Sequence, residues 1–165
     1  MSLHFIIDGY NLIKQSPVLN KDNLEDSRLA LIKFLNVHRP QGSSNNRVTV
    51  VFDGNKGNFY DGANLSSIEV IFSGDKSADD KIRRLVEDSA NPKNIVVVTN
   101  DREIQFSVRQ LKAQVKTVEG FLEKFNQLQR LKGKAAKGSF TDEKIIAYSL
   151  EEKITEEMKR IWLKP

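Results

Sequence analysis

Four aspartates define the chemistry open to this chain of 165 residues. Asp8 ends the apolar run "HFIID" and is followed by Gly9 and Asn11, while Asp53 ends "RVTVVFD". Asp101 lies just past "NIVVVTN", and Asp79 with Asp80 opens the segment "SADDKIRRLV". Carboxylates joined by a neutral amide, with no cysteine and no organised histidine pair, suit a hard cation, Mg²⁺ or Mn²⁺. Such an ion polarises a phosphoryl oxygen and activates water for in-line attack on a phosphodiester. Asn11 would serve as a neutral ligand or as a hydrogen-bond partner orienting Asp8 or the water. Gly9 would let backbone and phosphate approach closely. The two histidines offer no alternative: His4 lies inside the first apolar run and His38 at a helix end before Pro40. Neither a Ser-His-Asp arrangement nor a G-x-x-x-x-G-K-[ST] loop is present.

The elements that must position these acids are legible from periodicity. Strands are expected at Leu3 to Asp8, 47–53, 68–73, 94–100 and, shorter, at "AQVKTV" (113–118). A helix follows Asp22, where D-x-x-E with Glu25 forms a capping box and Leu24, Leu31, Ile32 and Leu35 recur at helical spacing. Ser77 caps a second helix with Ala78, Ile82, Leu85 and Val86 on its apolar face. A third runs through Ile104, Val108 and Leu111, and a fourth covers "GFLEKFNQLQRL" (120–131). Strands apolar on both faces and alternating with helices predict a three-layer α/β domain, its central sheet mainly parallel and flanked by helices. In such a sheet ligands bind beyond the carboxyl ends of the strands. All four α/β units therefore deliver a carboxylate to one edge.

Each aspartate also has a purely structural reading. Asp8 would cap or turn, and Asn100 with Glu103 forms N-x-x-E, placing Asp101 in a first turn where anions suit the helix dipole. Asp79 and Asp80 would serve that same dipole. Clustered carboxylates nevertheless repel unless a cation neutralises them, which favours the functional reading of the set. At ~100° per residue Asp79 falls at the edge of the apolar stripe and Asp80 almost opposite it. Asp79 is the better ligand of the two, with Asp80 a helix-start anion or a further ligand.

Composition bounds the partners. A hydrophobic fraction of 39% and a charged fraction of 29% describe a folded globular chain, and no apolar stretch is long enough to span a bilayer. The start "MSLHFIIDG" lacks a signal-peptide design, and the absence of cysteine is compatible with a reducing, cytoplasmic setting. The net charge is +4, and between Arg102 and Lys137 nine Lys/Arg face three Glu. That stretch favours a polyanion, nucleic acid first, or is simply a solvated basic face. Beyond Leu131, "KGKAAKGS" reads as a linker, and Ser149 with Glu152 caps a last helix striped by Leu150, Ile154, Met158, Ile161 and Trp162. The expected division is a domain over 1–131 and a basic linker plus C-terminal helix over 132–165.

"IIDGYNLI", "VVFDG", "SADDKIRRLV" and "VVVTNDREIQ", in this order, resemble the motifs of YacP-like NYN domains, a branch of the PIN-like metal-dependent nucleases. The likeness covers about residues 3–127. It implies a PIN-like fold and an RNA-cleaving role, since the group includes ribosome-associated endoribonucleases that cut messenger RNA. By position Asp8, Asp53, Asp79 and Asp101 match the family's acids, Asn11 its asparagine and Thr99 the small hydroxyl residue of the last motif. The loop "GNKGNFYDGAN" and the tail after Leu131 depart from the pattern. Lys56, Phe59 and Tyr60 sit on that loop, where the rings would stack on unpaired bases or pin the loop to the core. Arg102, Arg109, Arg130, Lys132 and Lys134 would bind RNA phosphates, and Tyr10 is expected to be packed. The reading is an Mg²⁺/Mn²⁺-dependent endoribonuclease on single-stranded RNA, with the ribosome a possible partner. The alternative is a catalytically weak RNA- or ribosome-binding module. A receiver or aspartyl-phosphatase would need an acidic pair or D-x-D after strand one, and "DGYN" supplies neither.

Overall fold

A computed structural model describes residues 1–57, 59 and 67–135. Tyr60, the linker beyond Ala135 and the last helix expected over 149–162 lie outside the described residues. The chain divides into two units, Met1–Phe125 and Asn126–Pro165.

Five strands form one sheet: β1 (His4–Asp8), β2 (Arg47–Phe52), β3 (Ile68–Phe72), β4 (Ile95–Val98) and β5 (Gln114–Lys116). Their spatial order is β3-β2-β1-β4-β5, and every pairing is parallel. The helices are α1 (Gly9–Gln15), α2 (Leu24–His38), α3 (Ala78–Glu87), α4 (Arg102–Gln110), α5 (Val118–Phe121) and α6 (Glu123–Ala135). Side chains alternate across the sheet. Phe5, Ile7, Val50 and Phe52 meet Leu31 and Leu35 of α2 on one face. Ile6, Val51 and Val97 meet Ile82 of α3 and Ile104 and Val108 of α4 on the other. The sheet is covered on both sides, as continuous apolar strands require.

Three expectations shift. The turn at Gly9 is the start of a helix, α1, which begins directly at the end of β1. The cap of α2 is Asn23, accepting from the Glu25 amide at 2.8 Å, so the D-x-x-E box is displaced by one residue. The fourth helix is two elements, α5 and α6, and α6 continues through Ala135, making helix of the first residues read as linker.

A polar lane crosses three strands at their amino ends, away from Asp8. His4 Nε2 lies 2.8 Å from the fully buried Thr49 Oγ1, which donates to Glu69 Oε2 at 2.9 Å. Arg47 Nη2 donates to the same Glu69 oxygen at 2.9 Å. Burial, then the Arg47 guanidinium, holds His4 below its ordinary 6.5, while Glu69 pulls it upward. His4 thus serves a structural network and not the acidic edge. Arg47→Gln is expected to raise the His4 titration midpoint toward 6.5 and Glu69→Gln to lower it further, as read by NMR. Shifts of the same sign in both variants would show that these charges do not set it.

Candidate active site

Strand order reverses direction at β1: β2 and β3 lie on one side, β4 and β5 on the other. Connections leaving β1 and β4 diverge there and leave a crevice at the strands' carboxyl ends, the usual ligand position in open α/β sheets. Asp8 stands at that point. Its Oδ1 accepts from the Asn11 amide at 3.3 Å, capping α1, and its Oδ2 accepts from Thr99 Oγ1 at 3.2 Å. Thr99, wholly buried, also accepts from the Asp101 amide at 3.1 Å. One hydroxyl therefore ties Asp8 to the segment carrying Asp101.

Asp101 is itself the cap of α4, its Oδ1 accepting from the Glu103 and Ile104 amides at 2.8 and 3.3 Å. This corrects the N-x-x-E expectation. Asn100 is used elsewhere: its Oδ1 accepts from the Val118 amide at 2.9 Å and its Nδ2 donates to Glu119 at 2.8 Å. The Asn100 amide in turn donates to Asn11 Oδ1 at 2.9 Å. Asn11 is thus a strut between the ends of β1 and β4, with its carbonyl oxygen engaged.

On the other flank, Asp53 Oδ1 accepts from Ser73 Oγ at 3.1 Å and from the Ala78 amide at 3.0 Å, bracing the start of α3. Ser77 caps α3 as expected, accepting from the Asp80 amide at 3.1 Å. Asp79 is half-buried in the first turn. Asp80 is exposed and 3.6 Å from Arg83, in the position of a helix-start anion, and its charge also raises Asp79.

The acids interact as a group. Burial, followed by the charges of Asp79 and Asp101, outweighs the Asn11 and Thr99 hydrogen bonds and raises Asp8 to about 6. Burial, then Asp101 and Asp53, raises Asp79. Asp79 therefore feels the Asp53 flank and the Asp101 flank alike. Among the described residues no group of three or more acidic or histidine side chains is close enough to hold a metal ion. The cluster is open. Its donor set nevertheless fits a hard cation: all oxygen, mutually repelling, and with Oδ2 of Asp53 and of Asp101 unbonded among the described residues.

Gly9 has a different role from the one expected. A Cβ there would stand 2.6 Å from Phe52 Cδ1 and 3.1 Å from Val50 Cγ1. Its missing side chain admits the β2 residues against the start of α1, where the sequence suggested a phosphate.

Tyr10 is packed, its ring 5.2 Å from that of Phe52. Its hydroxyl accepts from Arg28 Nε at 2.9 Å and also from Arg28 Nη2. Arg28 is a residue that sequence reasoning missed. It is 5% exposed and has no carboxylate partner among the described residues. Its guanidinium carbon lies 5.0 Å from the Phe72 ring centre and 5.6 Å from those of Tyr10 and Phe52. Nη1 also reaches the Lys56 carbonyl at 3.4 Å. A signal was present: Leu24, Arg28, Leu31 and Leu35 follow helical spacing, which puts a cation on the apolar stripe. Phe59 joins this cage, 3% exposed and 5.6 Å from Phe72, so it pins the loop and cannot stack on a base. Lys56, Arg102, Arg109 and Arg130 are exposed. Lys132 and Lys134 lie on α6.

Fold and site together define a class, a parallel three-layer α/β domain with acids gathered at the switch point of its sheet. Residues 5–162 match the YacP-like NYN domain, and the chain belongs to that family. The family is nuclease-like, so this is a nuclease-type domain. Among solved structures, a tryptophan-to-leucine mutant of Rae1 (YacP) from Bacillus subtilis is 28% identical, with 79% of this chain and 78% of that one covered and a TM-score of 0.60. A second structure of Rae1 (YacP) from Bacillus subtilis is 23% identical and shares the fold over 97% of this chain and 94% of its own, with a TM-score of 0.58. No curated protein matches the chain.

Folded Asp8 titrates near 6, against an ordinary 3.8. A raised folded value favours the folded state at low pH, and that advantage is lost as pH rises through about 6. Asp8→Asn is therefore expected to be more stable than the wild type in metal-free buffer near neutral pH, by roughly 1–3 kcal/mol. The difference should vanish below about pH 4, where both side chains are neutral. Urea denaturation at both pH values checks this, and an equal gap at each would refute it.

Proposed function

We propose that this protein is an Mg²⁺- or Mn²⁺-dependent endoribonuclease that cleaves single-stranded RNA, messenger RNA foremost, in association with the ribosome and in the cytoplasm. The observation that carries the reading is the convergence of Asp8, Asp53, Asp79 and Asp101 on one switch point, in a chain of a nuclease-like family. These four residues would hold the metal, which when bound supplies a polarised phosphoryl oxygen and an activated water.

The remaining work falls to the chain's own groups. Thr99 holds Asp8 in register with Asp101 through its two hydrogen bonds. Asn11 holds the β4–α4 connection against α1, fixing the separation of the two acids. Asp53 and Ser73 hold the start of α3 and so place Asp79. Without a cation these carboxylates repel an approaching phosphate, so placing the scissile phosphate at the cluster requires the metal. Hydrolysis by water attacking phosphorus in line, with the P–O3′ bond breaking and the 3′-oxygen taking up a proton, would leave a 5′-phosphate and a 3′-hydroxyl. The absence of a ready three-ligand group among the described residues favours one other reading, a catalytically weak RNA- or ribosome-binding module.

Labelled single-stranded RNA incubated with the protein separates the two. Cleavage is expected with Mn²⁺ and not with EDTA, and Asp8→Asn, Asp79→Asn or Asp101→Asn should each reduce it by about 100-fold or more. Asp80→Asn, at an exposed ion pair, should change it by no more than about twofold. Mn²⁺ at about 100 times its dissociation constant should stabilise the wild type by about 2.7 kcal/mol, and Asp8→Asn far less. Cleavage that survives chelation sinks the metal reading. Binding without cleavage, on free RNA and on ribosomes alike, selects the module.

A further inference from the structure

The buried side of α4 is set by Ile104 and Val108. At ~100° per residue the direction opposite them is occupied by Phe106. Phe106 is 66% exposed, and among the described residues it is the one large aromatic side chain so placed, the other large exposed hydrophobics being aliphatic. Every other described phenylalanine is buried or packed against the core clusters. Arg102 stands one turn before it and Arg109 one turn after, both exposed. Neither forms an ion pair among the described residues, where the pairs are Arg47–Glu69 and Arg83–Asp80. Arg102 is also the first residue of α4, where the helix dipole disfavours a cation. Glu103 and Gln110 lie on the opposite flank of Phe106, leaving the two arginines together on one side. Two local rules are therefore broken on one face, an aromatic ring in water and a cation at a helix start. Such departures gather where a surface is used.

We infer that the outer face of α4 is a track for single-stranded RNA, with the Phe106 ring a platform on which one unpaired base stacks and Arg102 and Arg109 contacts to the flanking phosphates. Asp101 caps the helix, and at 1.5 Å per residue Phe106 is about 7–8 Å along its axis from that acid. On the proposed track, a strand whose phosphate meets the acidic cluster passes around the Asp101 cap onto this face. An aromatic ring flanked by unpaired guanidiniums is the pairing that single-stranded nucleic acid selects, since any base offers a π-face and any backbone offers charge. A protein partner would require apolar neighbours around the ring, and α4 supplies none on this face. The inference rests on the nuclease reading of the acidic cluster, but its test does not depend on cleavage.

The test is fluorescence anisotropy of a labelled, unstructured RNA dodecamer with the whole protein in EDTA. Phe106→Ala is expected to weaken binding about tenfold without changing the melting temperature or the salt dependence. Phe106→Tyr should restore affinity to within about twofold. Arg102→Gln with Arg109→Gln should lower the slope of log affinity against log salt by about 1.4. Wild-type affinity in Phe106→Ala, or failure of Phe106→Tyr to restore it, would overturn the inference, as would no binding by the wild type. Unchanged oligonucleotide affinity in Phe106→Ala with loss of ribosome co-sedimentation would replace it with a protein-docking face. Wild-type protein that binds with this dependence yet cleaves nothing with Mn²⁺ overturns the nuclease reading and leaves the track standing.

Discussion

Like charges brought to one end of a sheet must be held there against their own repulsion, and in this protein helix starts hold them. Asp8 caps α1, Asp101 caps α4, Asp53 accepts from the first amide of α3, and Asp79 sits in that helix's first turn. Asp8, Asp53 and Asp101 each accept from helix-start amides, and Asp79 sits at the positive end of the α3 dipole. In Asp53 and Asp101 the helix-start contact and the candidate ligand are one residue in two roles, because the amides occupy Oδ1 and leave Oδ2. The compensation is incomplete. Burial still raises Asp8 and Asp79 above the ordinary carboxylate value, the condition a bound cation would relieve.

Two cross-links keep the acids in register. Thr99 joins Asp8 to the Asp101 amide, and Asn11 joins α1 to the Asn100 amide. Both span the division between β1 and β4, where the crossing connections leave no backbone ladder beyond the last paired residues. Gly9 completes the arrangement by letting Val50 and Phe52 press against the first turn of α1. Any side chain there would push α1 outward, and Asp8 and Asn11 with it.

The Arg28 cage does similar work on the β2–β3 side. A buried guanidinium without a carboxylate is held by a phenol oxygen, a backbone carbonyl and aromatic ring faces. It joins α2, the Tyr10 turn and the loop after Asp53 in one contact set. This explains why a tyrosine follows Gly9 and why Phe59 is drawn inward.

Much was legible in the chain itself. Apolar runs of β-branched residues alternating with helical stripes determined a parallel, three-layer α/β fold, because strands buried on both faces need both faces covered. The same runs, ending on aspartates, determined that acids meet at one edge, since parallel strands share their carboxyl ends. Local pattern also placed Ser77 as a cap. What periodicity could not convey was the partner of each polar side chain. That Asn100 leaves its cap position to Asp101, that Asn11 is a strut, that Gly9 makes room for Phe52, and that Phe59 is buried while Phe106 is not were decided by tertiary contacts. Such contacts join residues dozens of positions apart, and only the folded arrangement of strands and helices brings them within hydrogen-bond or van der Waals reach.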